Sequence, residues 1–499
     1  MIRVRFAPSP TGFLHIGGVR AALFNWLFAR HSGGQYLVRI EDTDLERSEP
    51  RFTQDILSTL KWLGLQSDEE PIYQSARMGV YRERAEALIA SGHAYKCWCT
   101  EAEVDQMRAV AEAAKKKPMY DRRCRERSVP GPAGAPFVIR AKIPLDGAVE
   151  FQDLIRGTVT VQNAELDDFV LIRSNGAPTY NLSVVVDDAH SRITHVIRGD
   201  DHINNTPKQL HLYRFFNEKL PVFAHLPMIL GPDKKKLSKR HGAVSTNEYR
   251  ADGYLPEALL NFLARIGWSH GDQEVFSIEE LVQFFDFDHV QNSSGVFNTE
   301  KLLWVNGEHL KRAESTHVAS ILRDDFTGVF SDSALSRMTT PLGLRLVAML
   351  QPKVKTLKEL AEQLAPLLVT GDVDVSAALV SELKWMKNPA LKAPMQAAAR
   401  EVLDELTVFA DRAGGASPDR RGLAWGASPA LEDASVGHAE IDALLKRVSE
   451  KHAVKLGDLM QPVRLCMTGR LVSGAGLFDL LYLMPWDVLE PRLKKVLEL

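Results

Sequence analysis

Met1-Ile2-Arg3-Val4-Arg5-Phe6-Ala7-Pro8-Ser9-Pro10-Thr11-Gly12-Phe13-Leu14-His15-Ile16-Gly17-Gly18 opens the chain and decides its fold. Residues 1–6 alternate apolar and basic, the period of a strand, and no apolar run of the kind a signal peptide carries follows them. Pro8 to Gly12 is a turn, after which Ile16, Val19, Leu23, Trp26 and Leu27 recur on one helical face. Strand, turn and helix in that order begin an α/β unit. Gly33-Gly34 stops the helix, and Tyr36 to Ile40 is the next strand. It ends at Glu41, Asp42 and Asp44, where sheets of this kind bind their ligands.

Working outward, residues 50–92 carry helical periodicity through Ile56, Leu60, Leu63, Tyr81, Ala85 and Leu88. Around Tyr95 the character changes to a cysteine cluster, a basic run and the Pro/Gly-rich stretch 129–136, followed by short β-like segments at 137–139, 158–161 and 169–172. This predicts an inserted domain over 94–179, with the α/β signal resuming at Leu182 to Val186 and His195 to Ile197. From Pro256 onward helical patterns dominate, at 259–263, 344–350, 357–368 and 441–448, with a Gly/Ala/Ser/Pro loop at 413–429. There is no internal repeat at a period of 20 to 50 residues.

A chain of 499 residues has room for roughly three or four domains at about 100 to 200 residues each. With 61 Lys+Arg against 64 Asp+Glu, 45% hydrophobic and 25% charged residues, it is neither a disordered tail nor a polycation, although a near-neutral total can average over local basic patches. Four cysteines are too few for a disulfide framework. No apolar run approaches the ~20 residues of a membrane span, and the expected location is cytoplasmic.

Two constellations carry chemistry. The first is Pro8 to Gly18, a strand-to-helix junction whose free N–H groups, dipole and glycines suit a phosphate, with His15 placed to donate to it. Taken alone this signal is weak, because a histidine in a turn is more often a surface or capping residue. The second is Asp233-Lys234-Lys235-Lys236-Leu237-Ser238-Lys239-Arg240-His241-Gly242, with five basic residues within seven positions. Such a loop neutralises a triphosphate under attack, and otherwise is a solvated basic loop.

Together, in this order and about 220 residues apart, His15-Ile16-Gly17-Gly18 and Lys236-Leu237-Ser238-Lys239-Arg240 resemble the paired signatures of class I aminoacyl-tRNA synthetases. Arg5 to Gly12, Arg39-Ile40-Glu41-Asp42-Thr43-Asp44, Pro178-Thr179-Tyr180-Asn181 and Val196-Ile197-Arg198-Gly199 narrow the resemblance to bacterial glutamyl-tRNA synthetases over at least residues 1–310. Position 18 is glycine where the general class motif has histidine.

The resemblance implies a glutamate–tRNA ligase. ATP, arriving with Mg2+, activates L-glutamate to glutamyl-adenylate, and the glutamyl group passes to the terminal ribose of tRNA-Glu, or also of tRNA-Gln in a non-discriminating member. It places His15, Lys236 and Lys239 as catalytic residues. ATP would be held by Pro8, Thr11, Gly12, His15, Gly17, Gly18, Lys236, Ser238, Lys239 and Arg240. Two carboxylates and an ammonium call for a guanidinium fork and an acid, and by resemblance Arg5, Arg198 and Tyr180 face the carboxylates while Glu41 and Ser9 face the amine.

Cys97-Trp98-Cys99, 24 further residues, then Cys124-Arg125-Glu126 form a candidate structural zinc site, because three thiolates want a fourth ligand. Zinc-containing relatives resemble this spacing with histidine fourth. Here Glu126 stands there, with Asp121, Tyr120 and His93 as rivals. Seven basic residues between 115 and 127, against Asp121 and Glu126, suit RNA phosphates or a solvated helix face. Asp187-Asp188 is expected to be structural.

The expected architecture is α/β. A Rossmann-type nucleotide-binding catalytic domain is split over 1–93 and 180–220 around an inserted α+β acceptor-end domain at 94–179. A lysine-loop and tRNA-stem region covers 221–308, and an all-α anticodon-binding region covers 309–499. Monomeric state is expected by resemblance. A glutaminyl-tRNA synthetase is the nearest alternative, but that family ends in β-barrels and this chain reads as helical. A truncated relative modifying a tRNA base lacks the anticodon region, and a non-catalytic RNA-binding relative would be expected to have lost His15 or the lysine loop.

Overall fold

The computed structural model describes all residues except 45, 128–130, 132, 133, 236, 238–244, 371, 372, 415–433, 473, 475 and 485, and except the side chains of 409–414, 434–438, 482 and 487. It divides into two compact units, one of residues 1–249 and 256–302, the other of 250–255 and 303–499.

In the first unit β1 (Arg3–Phe6), α1 (Ile16–His31), β2 (Gln35–Ile40), α2 (Pro50–Trp62), β3 (Ile72–Tyr73) and α3 (Met78–Ala90) follow in order. β1, β2 and β3 are parallel neighbours, with Arg3 opposite Gln35 and Arg39 opposite Ile72. Next come β4 (Ala94–Cys97), α4 (Glu101–Ala113), β5 (Val138–Ala141), the hairpin β6 (Ala148–Asp153) and β7 (Gly157–Gln162), and β8 (Val170–Ile172). The α/β pattern then returns with α5 (Tyr180–His190), β9 (His195–Gly199), α6 (Thr206–Phe215) and β10 (Val222–Leu226).

β9 and β10 are parallel, Val222 opposite His195. Thr194 N donates to the Arg3 carbonyl, and Arg3 N donates to the Thr194 hydroxyl. β9 therefore lies along the free edge of β1. The chain leaves β1 for β2 on one side and meets β9 on the other, so the carboxyl ends of β1 and β9 flank a topological switch point, the usual ligand crevice of an open α/β sheet.

Only part of the segment 94–179 stands apart from this sheet. β4, β5 and β8 form their own antiparallel sheet, over a small core of Tyr95, Cys97, Val104, Met107, Tyr120 and Cys124. The hairpin instead joins the main sheet, with β6 running parallel to β10 and Asp153 opposite Phe223. Periodicity revealed β7 but not β6, whose buried positions Val149, Phe151 and Asp153 alternate with exposed ones and include a charged residue.

α1 is buried almost all round: Ile16, Val19, Ala22, Leu23 and Leu27, but also Arg20, Phe24 and Asn25, are buried. Phe24 meets Phe285 edge-on at 5.2 Å, so a second layer covers the face away from the sheet. That layer contains α8 (Pro256–Arg265) and α9 (Ile278–Phe284), which follow β11 (Ile229–Leu230) and α7 (Thr246–Ala251). Fully burying each Leu, Ile or Phe contributes about 1.5–3 kcal/mol.

After the two-residue strand Gly295–Val296 no strand occurs among the described residues. Helices Thr299–Arg312, Ser315–Asp325, Asp332–Met338, Pro341–Leu350, Leu357–Leu368, Lys392–Gly414, Ala434–Lys451, Leu456–Thr468, Leu477–Leu483 and Trp486–Val496 cover most of the remainder. Their inward positions, among them Leu360, Leu364, Val402, Leu445, Cys466 and Leu480, are buried. The loop expected at 413–429 falls almost wholly outside the described residues. Among the described residues no helix is long and apolar enough to cross a membrane.

Candidate active site and metal centre

His15 is the N-cap of α1: its backbone is extended and its Nδ1 accepts the Gly18 N–H at 3.3 Å. An accepting Nδ1 is unprotonated, so the neutral ring carries its proton on Nε2. Gly17 lets the ring fold back, since a Cβ there would stand 3.0 Å from Nδ1 and Cε1 of His15. Capping does not withdraw the residue from chemistry. His15 lines a cavity of about 1010 Å³ together with Thr11, Gly12, Phe13, Gly17, Arg20, Asp200, Asp201, Met228 and Glu248.

Of the other residues expected there, Gly18 spends its amide on His15, and the Pro8 carbonyl accepts from Glu41 N at 2.9 Å. Lys236, Ser238, Lys239 and Arg240 lie outside the described residues. The segment after them is described, and it is bound to the His15 motif. Ser245 bridges His15 in an antiparallel pair, and the Thr246 N–H and hydroxyl both donate to the Leu14 carbonyl, at 3.0 and 2.7 Å. Asp55 of α2 accepts from Leu14 N at 2.8 Å and from the Asn247 amide at 2.6 Å. The sequence carries no sign of Asp55, Thr246 or Asn247, because polar residues in a helical run look like a solvated face.

Arg20, one turn along α1, is buried and donates to the carbonyls of Ile266 and Pro227. Burial lowers its pKa to about 10, against the opposing pull of Asp200.

A buried ionic cluster gathers around the carboxyl ends of β1 and β2. Arg5, at the carboxyl end of β1, donates to both carboxylate oxygens of Asp188 at 3.1 and 3.3 Å. Arg39 of β2 bridges Asp188 and Glu41, the latter at 3.0 Å. Burial raises the Asp188 pKa, but the two arginines outweigh it and hold the group below the usual carboxylate range. Glu41 ends on the other side: burial lifts its pKa, and Arg39 only partly offsets the rise. Glu41 is thus the carboxylate of the cluster still short of positive charge. Ser9 is exposed on the turn. Asp188 was legible only as a structural acid; that it anchors Arg5 required the fold.

Arg198, at the end of β9, is buried and has no carboxylate within ion-pair distance among the described residues. It donates from Nε to His225 Nε2 at 3.2 Å, from Nη2 to the Thr206 hydroxyl at 2.8 Å and the His202 carbonyl at 3.5 Å, and from Nη1 to the Tyr180 hydroxyl at 3.3 Å. Burial lowers its pKa. Burial likewise raises that of Tyr180, so the phenol keeps its proton. Since a guanidinium only donates, the Tyr180 oxygen is the acceptor and its O–H remains to donate. A buried cation with neutral neighbours and two donors to spare is a site for an anion.

The three cysteines converge: the Sγ atoms of Cys97, Cys99 and Cys124 lie within 4.8 Å of one another. The group beside them is Tyr120, whose hydroxyl is 3.3 Å from Cys97 Sγ and 3.6 Å from Cys99 Sγ. Glu126, expected as the fourth ligand, lines a cavity with Cys99 and Cys124, but its carboxylate is not among the converging ligand atoms. Its side chain is 75% exposed and pairs with Lys142 and Arg125, because the turn that buries Cys124 points residue 126 to solvent. Asp121 pairs with Arg123, and His93 stacks on Phe215. Burial and the neighbouring sulfurs push the Cys99 thiol up to about 12. Cys124 is below the usual thiol range, burial being outweighed by hydrogen bonds from Tyr120 and the Trp98 amide. A divalent cation would relieve the mutual repulsion of three thiolates, and the donor set fits a soft metal.

Within the basic run 115–127 only Arg122 and Arg125 turn inward, while Lys115, Lys116, Lys117, Arg123 and Arg127 are exposed. Arg122 and Arg125 pair with buried Asp168, Arg123 with Asp121 and Lys117 with Glu165, and Arg127 lies over Trp98 at 5.4 Å. A linear count of charges overstates what this segment offers to RNA.

Comparison with known proteins shows the family. Residues 1–304 match the family described as tRNA synthetases class I (E and Q), catalytic domain, and residues 425–497 match an anticodon binding domain. Glutamate–tRNA ligase 1 of Nitrosococcus oceani is 46% identical over 95% of this chain and 93% of its own length. The chain belongs to the glutamate–tRNA ligase family. The Nitrosospira multiformis and Thermodesulfovibrio yellowstonii glutamate–tRNA ligases are 52% and 41% identical over 72% and 100% of the chain, and over 77% and 100% of their own lengths. The crystal structure of an Elizabethkingia meningosepticum glutamate tRNA ligase in complex with its amino acid superposes with a TM-score of 0.76 at 29% identity, covering 100% of this chain and 99% of that one. A glutaminyl enzyme ending in β-barrels does not fit the described helical second unit.

A class I synthetase uses ATP. If His15 donates to the phosphates, as the sequence leads one to expect, His15→Ala in this ligase should slow adenylate formation by about tenfold or more while tRNA binding changes little. ATP–pyrophosphate exchange with tRNA present measures it, and an unchanged rate would remove His15 from the reaction.

Proposed function

We propose that the chain activates L-glutamate with ATP and transfers it to the 3′-terminal adenosine of tRNA-Glu, with the anticodon contacted by the helical second unit and the acceptor end by the module around β4, β5 and β8. The observation that carries the amino-acid assignment is Arg198, a buried guanidinium whose spare Nη1–H, together with the Tyr180 O–H, can only donate. A γ-carboxylate accepts from both and compensates the buried guanidinium, a charge that the neutral amide of glutamine would leave uncompensated. On this reading Arg5, held by Asp188, faces the substrate carboxylates as well, and Glu41, short of positive charge, takes the ammonium.

With the amino acid so held, an α-carboxylate oxygen attacks the α-phosphorus of ATP, and the bond to the bridging oxygen of pyrophosphate breaks. A ribose hydroxyl of the tRNA then attacks the acyl carbon and AMP leaves. No protein nucleophile is needed; position and charge suffice. His15 and the helix N-terminus meet the phosphates, and Lys236, Lys239 and Arg240 neutralise the developing charge. Cys97, Cys99, Cys124 and Tyr120 would hold one zinc ion, which when bound supplies a structural crosslink.

Charging purified tRNA-Glu and tRNA-Gln side by side with labelled glutamate and labelled glutamine tests the assignment. Glutamate is expected on tRNA-Glu and glutamine on neither; charging with glutamine alone would overturn it.

Glu41 also sets a pH dependence. Its ionised form binds the ammonium and its pKa is raised, so the KM for glutamate is expected to climb as pH falls, beginning above the ordinary range near about 4.3. Glu41→Gln removes the titrating group, so its KM is high and loses this acid limb; a variant that keeps the wild-type limb would show that Glu41 does not hold the amine.

Zinc is expected in the purified protein by elemental analysis. Tyr120→Phe, which leaves the sulfurs in place, weakens it by at least about tenfold in chelator competition. Zinc-free wild-type protein would dispose of the metal, and unchanged competition in the variant would dispose of Tyr120 as a ligand.

A further inference from the structure

Arg198 differs from Arg5 and Arg39 in how it is held. Those two lie directly against carboxylates. Arg198 instead donates through Nε to His225 Nε2 at 3.2 Å, and His225 Nδ1 lies 2.6 Å from Asp153 Oδ2. We infer that His225 and Asp153 are positioning residues for amino-acid recognition, holding Arg198 so that its last Nη1–H and the Tyr180 hydroxyl converge on the substrate γ-carboxylate. This inference rests on the glutamate reading given above.

The tautomer follows from donor chemistry. Arg198 cannot accept, so His225 Nε2 is a lone pair, the ring proton sits on Nδ1, and Nδ1–H donates to Asp153. Asp153 is equipped to stay ionised: its Oδ1 also accepts the backbone N–H groups of Ile155, Arg156 and His225 at 3.0, 2.9 and 3.3 Å. His225 is fully buried, stacked on Phe223 and edge-on to Phe151, so no water competes for either nitrogen.

The relay has an electrostatic consequence that a direct ion pair would lack. An aspartate on Arg198 would orient it but also neutralise it, in competition with the substrate. A neutral imidazole in between orients the fork and leaves its charge for the ligand. With Nε on His225, Nη2 on Thr206 and His202, and one Nη1 hydrogen on Tyr180, a single Nη1–H is left over. Asp153 comes from β6, so the hairpin within the 94–179 segment reaches the amino-acid pocket through this chain of hydrogen bonds.

The test compares two amides at position 225. His225→Gln can place an acceptor where Nε2 stands and loses the Asp153 bond; His225→Asn can reach Asp153 and leaves Arg198 Nε without an acceptor. Steady-state charging of tRNA-Glu is expected to show the KM for glutamate raised about tenfold or more in His225→Asn and largely recovered in His225→Gln. The KM for ATP should stay within about twofold of wild type in both. Asp153→Asn is isosteric and carries the same test should either amide fail to fold. Its amide favours the flipped tautomer, whose Nε2–H opposes Arg198, so it too should raise the glutamate KM selectively. Equal increases for glutamate and ATP, or a Gln variant no better than the Asn variant, would reduce His225 to a packing residue. Failure of the glutamate reading appears separately, as wild-type protein that does not charge glutamate at all.

Discussion

Asp188 accepts from two buried guanidinium groups at once, Arg5 from the end of β1 and Arg39 from β2. This ties three elements, β1, β2 and α5, at the point where the sheet changes direction. Two positive charges cannot be buried side by side without such an acceptor, and removing one partner of a buried pair costs about 3–5 kcal/mol because the other is left uncompensated. The rest of the site is arranged around that constraint. Glu41 shares Arg39 and remains short of positive charge, while Arg198 is kept off any carboxylate. Counting Arg5, Arg39 and Arg198 against Asp188 and Glu41 leaves one positive charge. Glutamate, with two carboxylates and one ammonium, brings one negative charge.

The same device recurs elsewhere in the first unit. Asp187, next in sequence to Asp188, accepts from Gln74, Arg77 and Tyr81, fastening the segment between β3 and α3 to α5. Asp168 accepts from Tyr95, Arg125 and the Ile143 amide, which holds the thiol cluster to its small sheet. Asp153 serves the hairpin and His225. Buried carboxylates saturated with donors are worth more in a low dielectric than at the surface, and each of these connects segments distant in the chain.

Much of this was legible in the sequence. The strand-turn-helix opening, the return of the α/β pattern near 182, the helical blocks after 256 and the three-cysteine cluster all rest on local periodicity or spacing, which short-range sterics and side-chain alternation enforce. Glu126 was misplaced because adjacency in sequence does not give direction: the turn that buries Cys124 sends its second neighbour outward. The basic run 115–127 was overcounted for a related reason, since Asp168, which neutralises Arg122 and Arg125, lies some 40 residues away. β6 was overlooked because its inward face includes Asp153.

By itself the sequence determined the class of the fold, the order of its parts, the two motifs that mark the family and the residue types that an amino acid with two carboxylates calls for. Those properties reside in local patterns and in motifs whose residues are close along the chain. The tertiary structure alone decided which acid serves which arginine, that Tyr120 rather than Glu126 stands beside the sulfurs, and that Asp55 and Thr246 tie the segment beginning at Ser245 to the His15 motif. It also decided that Arg198 is steadied through His225 rather than by a carboxylate. Hydrogen bonds act over about 3 Å, and the chain brings most of these partners together from 21 to 232 residues away, a separation across which no periodicity survives.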